Sequence, residues 1–195
     1  MKAIIPVAGA GTKLRPHTYT QPKALIPLAG KTILSIIVDQ LREAGINEFI
    51  FIIGYLGDKI QDYVKDKYPE ITSHFVHQNE RQGIGHAILL TKDIVQKDEL
   101  FIVLGDSICE YDVQDVISNE FSIVGVKRVD DPRDFGVAEI NEEGFVSKVV
   151  EKPQIPKSNM ALVGIYRIKE SSFLFSCLEN NIKNHLFNIK KLIKT

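Results

Sequence analysis

The feature that most constrains this chain is a rhythm. Short apolar runs rich in Ile, Val and Phe recur along its first two-thirds: KAIIPVA (2–8), EFIFIIG (48–54), TSHFVHQ (72–78), LFIVLGD (100–106) and FSIVGVKR (121–128). Runs of this length and composition suit strands covered on both faces. The segments between them have helical spacing instead. TILSIIVDQLREAG (32–45) places Ile33, Ile36, Ile37, Leu41 and Ala44 on one face and stops at Gly45. GDKIQDYVKDKYP (57–69) repeats the pattern with Ile60, Val64 and Tyr68 before Pro69, and GHAILLTKDIV (85–95) offers a third helix. Strand and helix in alternation predict a parallel sheet with helices on both faces.

After about residue 130 the pattern changes. FGVAEINEEGFVSKVVEKP (135–153) reads as two strands around the turn Asn141-Glu142-Glu143-Gly144, followed by a strand ALVGIYRI (161–168) and a helix from Ser171. The expected fold class is therefore α/β: a mixed, mainly parallel sheet flanked by helices, with a smaller antiparallel β portion. The 195 residues suffice for one domain with a substantial core. That domain divides into a first half (1–130), a second half (131–170) and a C-terminal helical segment (171–195).

The formal net charge is −1, so no global basic field points to nucleic acid or an anionic membrane as partner. Cys109 and Cys177 lie far apart and in no metal-ligand spacing, which fits a reducing compartment. The apolar start is too short for a signal peptide and is broken by Pro6, Gly9 and Gly11, and no run approaches a membrane span. Cytoplasmic localisation is the expectation.

Anion recognition must then come from a local cluster, and PVAGAGTKLRPHTYTQPK (6–23) is one. It is a poor dinucleotide fingerprint: Gly9-Ala10-Gly11-Thr12-Lys13 is followed by Leu14 where a third glycine is required, and the loop runs on through Arg15-Pro16. Gly30-Lys31-Thr32 mimics the end of an ATPase loop, but Leu25 stands where that loop needs glycine. Gly30-Lys31 reads better as a turn before a helix capped by Thr32. What remains is a long basic loop after the first strand, whose glycines can offer bare N–H groups to phosphate oxygens. A solvated surface loop fits a lone Gly-x-Gly as well.

The longer string AGAGTKLRPHTYTQPKALIPLAGKTIL resembles the signature of the sugar-1-phosphate nucleotidyltransferases. QNERQGIGHAI (78–88) resembles their nucleobase-binding segment, LGD (104–106) their metal-binding strand end, and DFGVAEI with VEKP their sugar-binding half. The matches come in the family's order from residue 2 to about 168. Glucose-1-phosphate thymidylyl- and uridylyltransferases are the nearest in kind. The resemblance implies a Rossmann-like fold and a reaction in which a sugar 1-phosphate and a nucleoside triphosphate give an NDP-sugar and pyrophosphate. It also implies Mg²⁺ as cofactor and homo-oligomers as a common state.

The resemblance implies a role for each matching residue. Ala8, Gly9, Gly11 and Thr12 would cradle the triphosphate. Lys13 stands where the family has an arginine on the β- and γ-phosphates, keeping the charge but losing the bidentate fork. Lys23 would neutralise charge at the α-phosphate, and Asp106 would hold Mg²⁺. Gln78 and Gly83 would read the base, a glutamine amide being able both to donate and to accept. Gly136, Glu151, Lys152 and Val163 would contact the sugar and its phosphate. Taken one at a time, several of these residues also have plain structural readings. Asp106 could be a turn or helix cap, Gln78 a strand-end polar residue, Glu151-Lys152 a surface ion pair, and Val163 with Tyr166 part of the core. His86 reads as structural.

One implied feature is missing. The family carries a second metal-binding aspartate in a later W-x-D-x-G-like segment, and this chain has no tryptophan. Either the family's C-terminal part is missing here, or the metal is held differently, with Asp112 or Asp115 as substitutes. Two further functions stay open on the sequence: a phosphocholine-type cytidylyltransferase of the same fold, and a non-catalytic nucleotide-sensing protein.

Overall fold

The apolar runs become strands: those at 2–6, 48–53 and 100–103 are largely buried on both faces, whereas those at 72–77 and 123–128 are only partly buried. The computed structural model describes residues 1–80 and 82–183, so the stretch NHLFNIKKLIKT (184–195) lies outside the described residues. The chain starts with β1 (Lys2–Pro6), followed by three single 3-10 turns at Thr12–Leu14, His17–Tyr19 and Lys23–Leu25. A two-stranded ribbon follows, β2 (Pro27–Leu28) and β3 (Lys31–Thr32), and leads into α1 (Ile33–Glu43). Then come β4 (Glu48–Ile53), α2 (Gly57–Lys67), β5 (Thr72–His77), α3 (Gly83–Leu89), α4 (Lys92–Val95), β6 (Leu100–Val103) and α5 (Val113–Ser118). The chain continues through β7 (Ile123–Arg128), β8 (Gly136–Ile140), β9 (Val146–Glu151), β10 (Met160–Ile168) and α6 (Ser171–Lys183).

The strand order is β5-β4-β1-β6-β10-β8-β9, with β7 also paired to β10. The first four are parallel, and the rest add in antiparallel pairs that extend the same sheet. This is the expected α/β architecture. The period-2 alternation of strand side chains sorts the core into two layers. Ala3, Ile5, Phe49, Phe51, Phe101 and Val103 pack with Leu34, Ile37, Val38 and Leu41 of α1 and Ile60 and Val64 of α2. Ile4, Ile50, Ile52, Leu100 and Ile102 pack with Ala87 and Ile88 of α3, Val95 of α4 and Leu174, Phe175 and Leu178 of α6.

Local signals account for the boundaries. Ala29 and Gly30 both have positive φ, the condition for a tight two-residue hairpin, so Gly30-Lys31 forms the expected turn. Thr32 caps α1: its hydroxyl accepts from the Ser35 N–H at 3.0 Å while the Ser35 hydroxyl accepts from the Thr32 N–H. In the turn at 141–144, the Gly144 N–H donates to the Asn141 carbonyl and the Asn141 side chain accepts from the Phe145 N–H.

Two expectations change. The helix expected over 85–95 begins at Gly83 and splits into α3 and α4 around Leu90 and Thr91. The buried Thr91 hydroxyl donates to the Ile88 carbonyl at 2.7 Å, which competes with the helical amide pattern at that point. The run at 121–128 does not become a further parallel strand. As β7 it pairs antiparallel with β10, whose hydrogen-bonding edge is available only once the second half has folded back. No helix among the described residues is long and apolar enough to cross a membrane.

Candidate active site

Three segments meet beyond the carboxyl ends of the parallel strands, the expected place for a ligand in an open α/β sheet. Together they line a cavity of about 250 Å³. Its wall includes Ala8 and Gly9 after β1, Lys23 of the third 3-10 turn, Gln78 after β5, Gly83 at the start of α3, and Gly105 and Asp106 after β6.

Close backbone approach holds this end of the sheet together. The Val7 N–H donates to the Ile52 carbonyl at 2.8 Å, and the Gly105 N–H donates to the Pro6 carbonyl at 3.2 Å. A Cβ on Gly105 would lie 2.4 Å from Val7 Cγ1 and 2.8 Å from the Pro6 oxygen. Only glycine fits there. On its other side the Asp106 loop rests on the bulge of β10. Gly164 has φ +82°, and a Cβ there would lie 2.6 Å from Ser107 Oγ. The Leu104 N–H donates to the Gly164 carbonyl at 2.9 Å.

Lys23 is positioned by its neighbours. Ala24 and Leu25 bury themselves in the core, and the Leu25 N–H closes the turn onto the Pro22 carbonyl at 2.9 Å. The lysine side chain is left at the cleft, where Nζ meets Asp106 Oδ2 at 2.6 Å. Residues 83 positions apart thus form one ion pair at the cavity wall. The pair is half-exposed and adds little to stability.

Gln78 is held from within. Its Nε2 donates to the Gly83 carbonyl at 3.1 Å and lies 3.4 Å from His86 Nδ1. These contacts engage the amide nitrogen and leave the carbonyl end of the side chain to accept. Gln78 is thus fixed at the cavity wall, with His86 beside it.

The expected site residues divide in two. Ala8, Gly9, Lys23, Gln78, Gly83 and Asp106 converge on the cavity. Gly11, Thr12 and Lys13 do not line it. Gly11 is left-handed at φ +58° and starts the 3-10 turn that carries Thr12 and the exposed Lys13. The sugar-side residues form a separate group. Gly136 and Glu151 are directly opposite in the β8–β9 pair. Lys152 follows at φ +43°, its N–H donating to the Phe135 carbonyl at 2.9 Å, and Val163 lies beside the Gly164 bulge. Burial, reinforced by the charge of Glu151, pushes the Tyr166 phenol up to about 12. Tyr166 belongs to the core between sheet and helices. The substitute metal ligand Asp112 has a structural task, since its Oδ1 accepts from the Gln114 and Asp115 N–H groups and caps α5.

Sequence reasoning missed the apolar part of the cavity: Ile84, Ala87 and Leu104. The first two are three apart on α3 immediately after Gly83, a spacing that could have signalled a wall against a flat ligand. It also missed Thr18, a buried threonine whose hydroxyl donates to the Gly11 carbonyl at 2.9 Å and folds the loop onto itself.

Comparison with known proteins gives a consistent result. A family model described as nucleotidyl transferase matches residues 2–195. The chain is 36% identical over 182 residues to the low-salt glycan biosynthesis nucleotidyltransferase Agl11 of Haloferax volcanii, covering 89% of this chain and 50% of that protein. It is 39% identical over 173 residues to the bifunctional protein GlmU of Methanocaldococcus jannaschii, covering 89% of this chain and 41% of that one. Among solved structures, a Bacillus anthracis protein provisionally described as a glucose-1-phosphate thymidylyltransferase superposes with a TM-score of 0.87 at 28% identity, covering 99% of this chain and 80% of that one. The chain spans about half the length of the curated relatives it matches.

Proposed function

The chain belongs to the sugar-1-phosphate nucleotidyltransferase family, and from that premise we propose that it joins a sugar 1-phosphate to a nucleoside triphosphate, releasing pyrophosphate. The observation that carries this reading is the Lys23–Asp106 pair at the wall of a cleft bounded by Ala8-Gly9 on one side and Gln78 with Gly83 on the other. We assign glucose 1-phosphate as the sugar substrate and UTP or dTTP as the nucleotide. The Gln78 amide suits the paired edge of a pyrimidine, and the apolar Ile84, Ala87 and Leu104 suit a base face.

The chemistry asks for charge management more than for a base. A phosphate monoester has its second pKa near 6, so the attacking oxygen is largely ionised near neutrality. That oxygen forms a bond to the α-phosphorus as the bond from this phosphorus to the β-bridging oxygen breaks, and pyrophosphate departs with the electron pair. Two polyanions must be brought together while charge shifts onto the leaving group, a task for positioned cations and backbone N–H groups. Lys23 has three ammonium donors and gives one to Asp106 in the free protein, so it retains donors for an α-phosphate oxygen. Gly9, at the cavity wall with open space where a Cβ would be, lets a phosphate approach the main chain. Gly136 and Glu151 are assigned to the sugar hydroxyls, Lys152 to the sugar's phosphate and Val163 to the wall of the sugar pocket.

Asp106 suits Mg²⁺. That ion takes oxygen ligands and is usually held by one or two carboxylates together with substrate phosphates and water. Asp106, half-exposed at the cleft wall, would supply one such carboxylate. When bound, the ion would neutralise triphosphate charge and withdraw electron density from the α-phosphorus.

The test is pyrophosphate release from a panel of nucleoside triphosphates, each with glucose 1-phosphate and with phosphocholine, in the presence and absence of a chelator. Release with UTP or dTTP and glucose 1-phosphate, stopped by the chelator, is expected. Silence with every pair would refute catalysis, and turnover confined to CTP with phosphocholine would reassign the substrate.

A further inference from the structure

Gly9 and Lys23 both line the cleft, yet little apolar surface fastens the loop that joins them. Its first 3-10 turn, Thr12–Leu14, buries no residue, and its second, His17–Tyr19, buries only Thr18. With so little buried, the order of this stretch depends on directional bonds.

Two of those bonds come from outside the loop, and both come from the connection between β4 and α2. The Tyr55 hydroxyl donates to the Tyr19 carbonyl at 3.0 Å, and Lys59 Nζ donates to the Thr20 carbonyl at 2.7 Å. Two adjacent carbonyls are thus gripped from one side, by a residue just before α2 and by one in its first turn. The connection is itself constrained. Leu56 has φ +54°, a left-handed conformation uncommon outside glycine, and strain of this kind persists where the surroundings enforce it. A Cβ on Gly54 would lie 3.0 Å from both the Cβ and the carbonyl oxygen of Ala8. The connection therefore rests directly on Ala8, a cavity residue, while its side chains reach the far turn of the same loop.

Short steps lead from the gripped carbonyls to the reactive end of the cleft. Beside Tyr19 is Thr18, whose hydroxyl donates to the Gly11 carbonyl at 2.9 Å. Gly11 abuts Lys23, since a Cβ there would lie 3.1 Å from Lys23 Cβ. Lys23 Nζ ends on Asp106 Oδ2. A displaced turn at 17–20 would carry Thr18 and Gly11 with it and take the backing from the Lys23 side chain.

We propose that Tyr55 and Lys59 are positioning residues for the reaction: they clamp the far turn of the loop and, through Thr18 and Gly11, hold Lys23 in place. The inference rests on the reading of the cleft as a nucleotide site. Neither residue lines the cavity, and both act on the loop backbone. Such a clamp matters because about 1 Å of misplacement can lower a rate on the order of 100-fold.

Two measurements on the same variants test it. Tyr55→Phe keeps the ring and removes only the donor, and Lys59→Met keeps the length of the stem and removes the charge. The first measurement is trypsin cleavage after the exposed Lys13; the next basic residue, Arg15, precedes a proline and is a poor trypsin site. The second is steady-state pyrophosphate release with glucose 1-phosphate and UTP or dTTP. In the double variant, cleavage after Lys13 is expected to quicken about tenfold, the scale of losing two exposed hydrogen bonds, with denaturant unfolding close to wild type. Turnover should fall about tenfold in kcat, with a smaller change in KM. Each single variant should lie between, and Lys59→Arg, which keeps a donor, should restore most of both losses.

Wild-type cleavage and wild-type kcat in the double variant would overturn the clamp. Faster cleavage with kcat unchanged would overturn it too, since the bonds would then tether the loop without serving the reaction. A lower kcat with cleavage unchanged would do the same, because the side chains would act by another route. All three outcomes leave the nucleotide reading intact. A wild type that releases no pyrophosphate with any pair would instead sink that reading and the positioning role together.

Discussion

Lys2, the first residue of β1, and Lys23, in a turn past the carboxyl ends of the strands, lie at opposite ends of the parallel sheet, and both face carboxylates brought from distant parts of the chain. Lys2 is saturated. Its Nζ donates to the Ile94 carbonyl at 2.7 Å and pairs with Glu48 and Asp98, each at 3.1 Å, and only 13% of its side chain is exposed. Lys23 has a single carboxylate partner among the described residues and 34% exposure. The strand starts at the Lys2 end are tied together, Lys2 N–H donating to the Glu99 carbonyl and His74 pairing with Glu48. At the Lys23 end the strands stop short and leave glycines and a cavity. A saturated lysine holds elements together, whereas an under-satisfied one at a cavity mouth has donors to spend on a ligand. The residue type is the same, and the count of partners differs.

The sharpest way to break this contrast is to remove each partner of the cleft pair. Lys23→Ala and Asp106→Asn are expected to lower kcat at least ~100-fold, the scale of a lost preorganised electrostatic contact, with thermal unfolding close to wild type. Wild-type turnover in either variant would show the pair to be an ordinary surface ion pair. Next in size is Gly105→Ala. The added methyl would collide with Val7 and the Pro6 carbonyl, so the Asp106 loop must shift, at about 1–3 kcal/mol of stability and roughly tenfold in kcat. A crystal structure with the loop unmoved would count against this account of why the position is glycine.

The smallest effect belongs to the other end of the sheet. Lys2→Met should cost about 1–2 kcal/mol, since the carboxylates it leaves are partly exposed, with kcat per folded molecule unchanged. The pH dependence has a definite sign. Burial alone would lower the Lys2 pKa, but the hydrogen bonds and charges of Glu48 and Asp98 outweigh it and raise the value above its ordinary 10.5. The lysine's contribution is therefore complete below about 10.5 and fades as the pH climbs through the raised value. Denaturant titrations at neutral and strongly alkaline pH should converge for wild type and Lys2→Met only at the alkaline end. A constant difference between the two would contradict the linkage.

Much of the fold was legible locally. The fully buried run Phe49–Ile53 announced a two-sided strand, Thr32 and Gly45 marked the ends of α1, and the glycine at 144 marked a hairpin. In the cleft, Ala8, Gly9, Lys23, Gln78, Gly83 and Asp106 were all named in advance, because the motifs fall at strand ends where an α/β sheet opens. The break at Thr91 was not legible, since a helical pattern does not reveal a hydroxyl that turns back onto Ile88. The apolar wall of Ile84, Ala87 and Leu104 escaped notice because such residues resemble core until the cavity beside them is known.

The sequence by itself determined the periodic elements and the chemistry available at their ends. Burial pattern, caps and turn glycines act over a few residues and leave their mark within a few residues. Tertiary structure alone decided that β7 runs antiparallel, that Gly105 and Gly164 must be glycine on both flanks of Asp106, and that Lys23 meets Asp106 across 83 positions. Those outcomes depend on which strand edges and loops come into contact when the sheet closes, and that contact is a property of the whole packed chain.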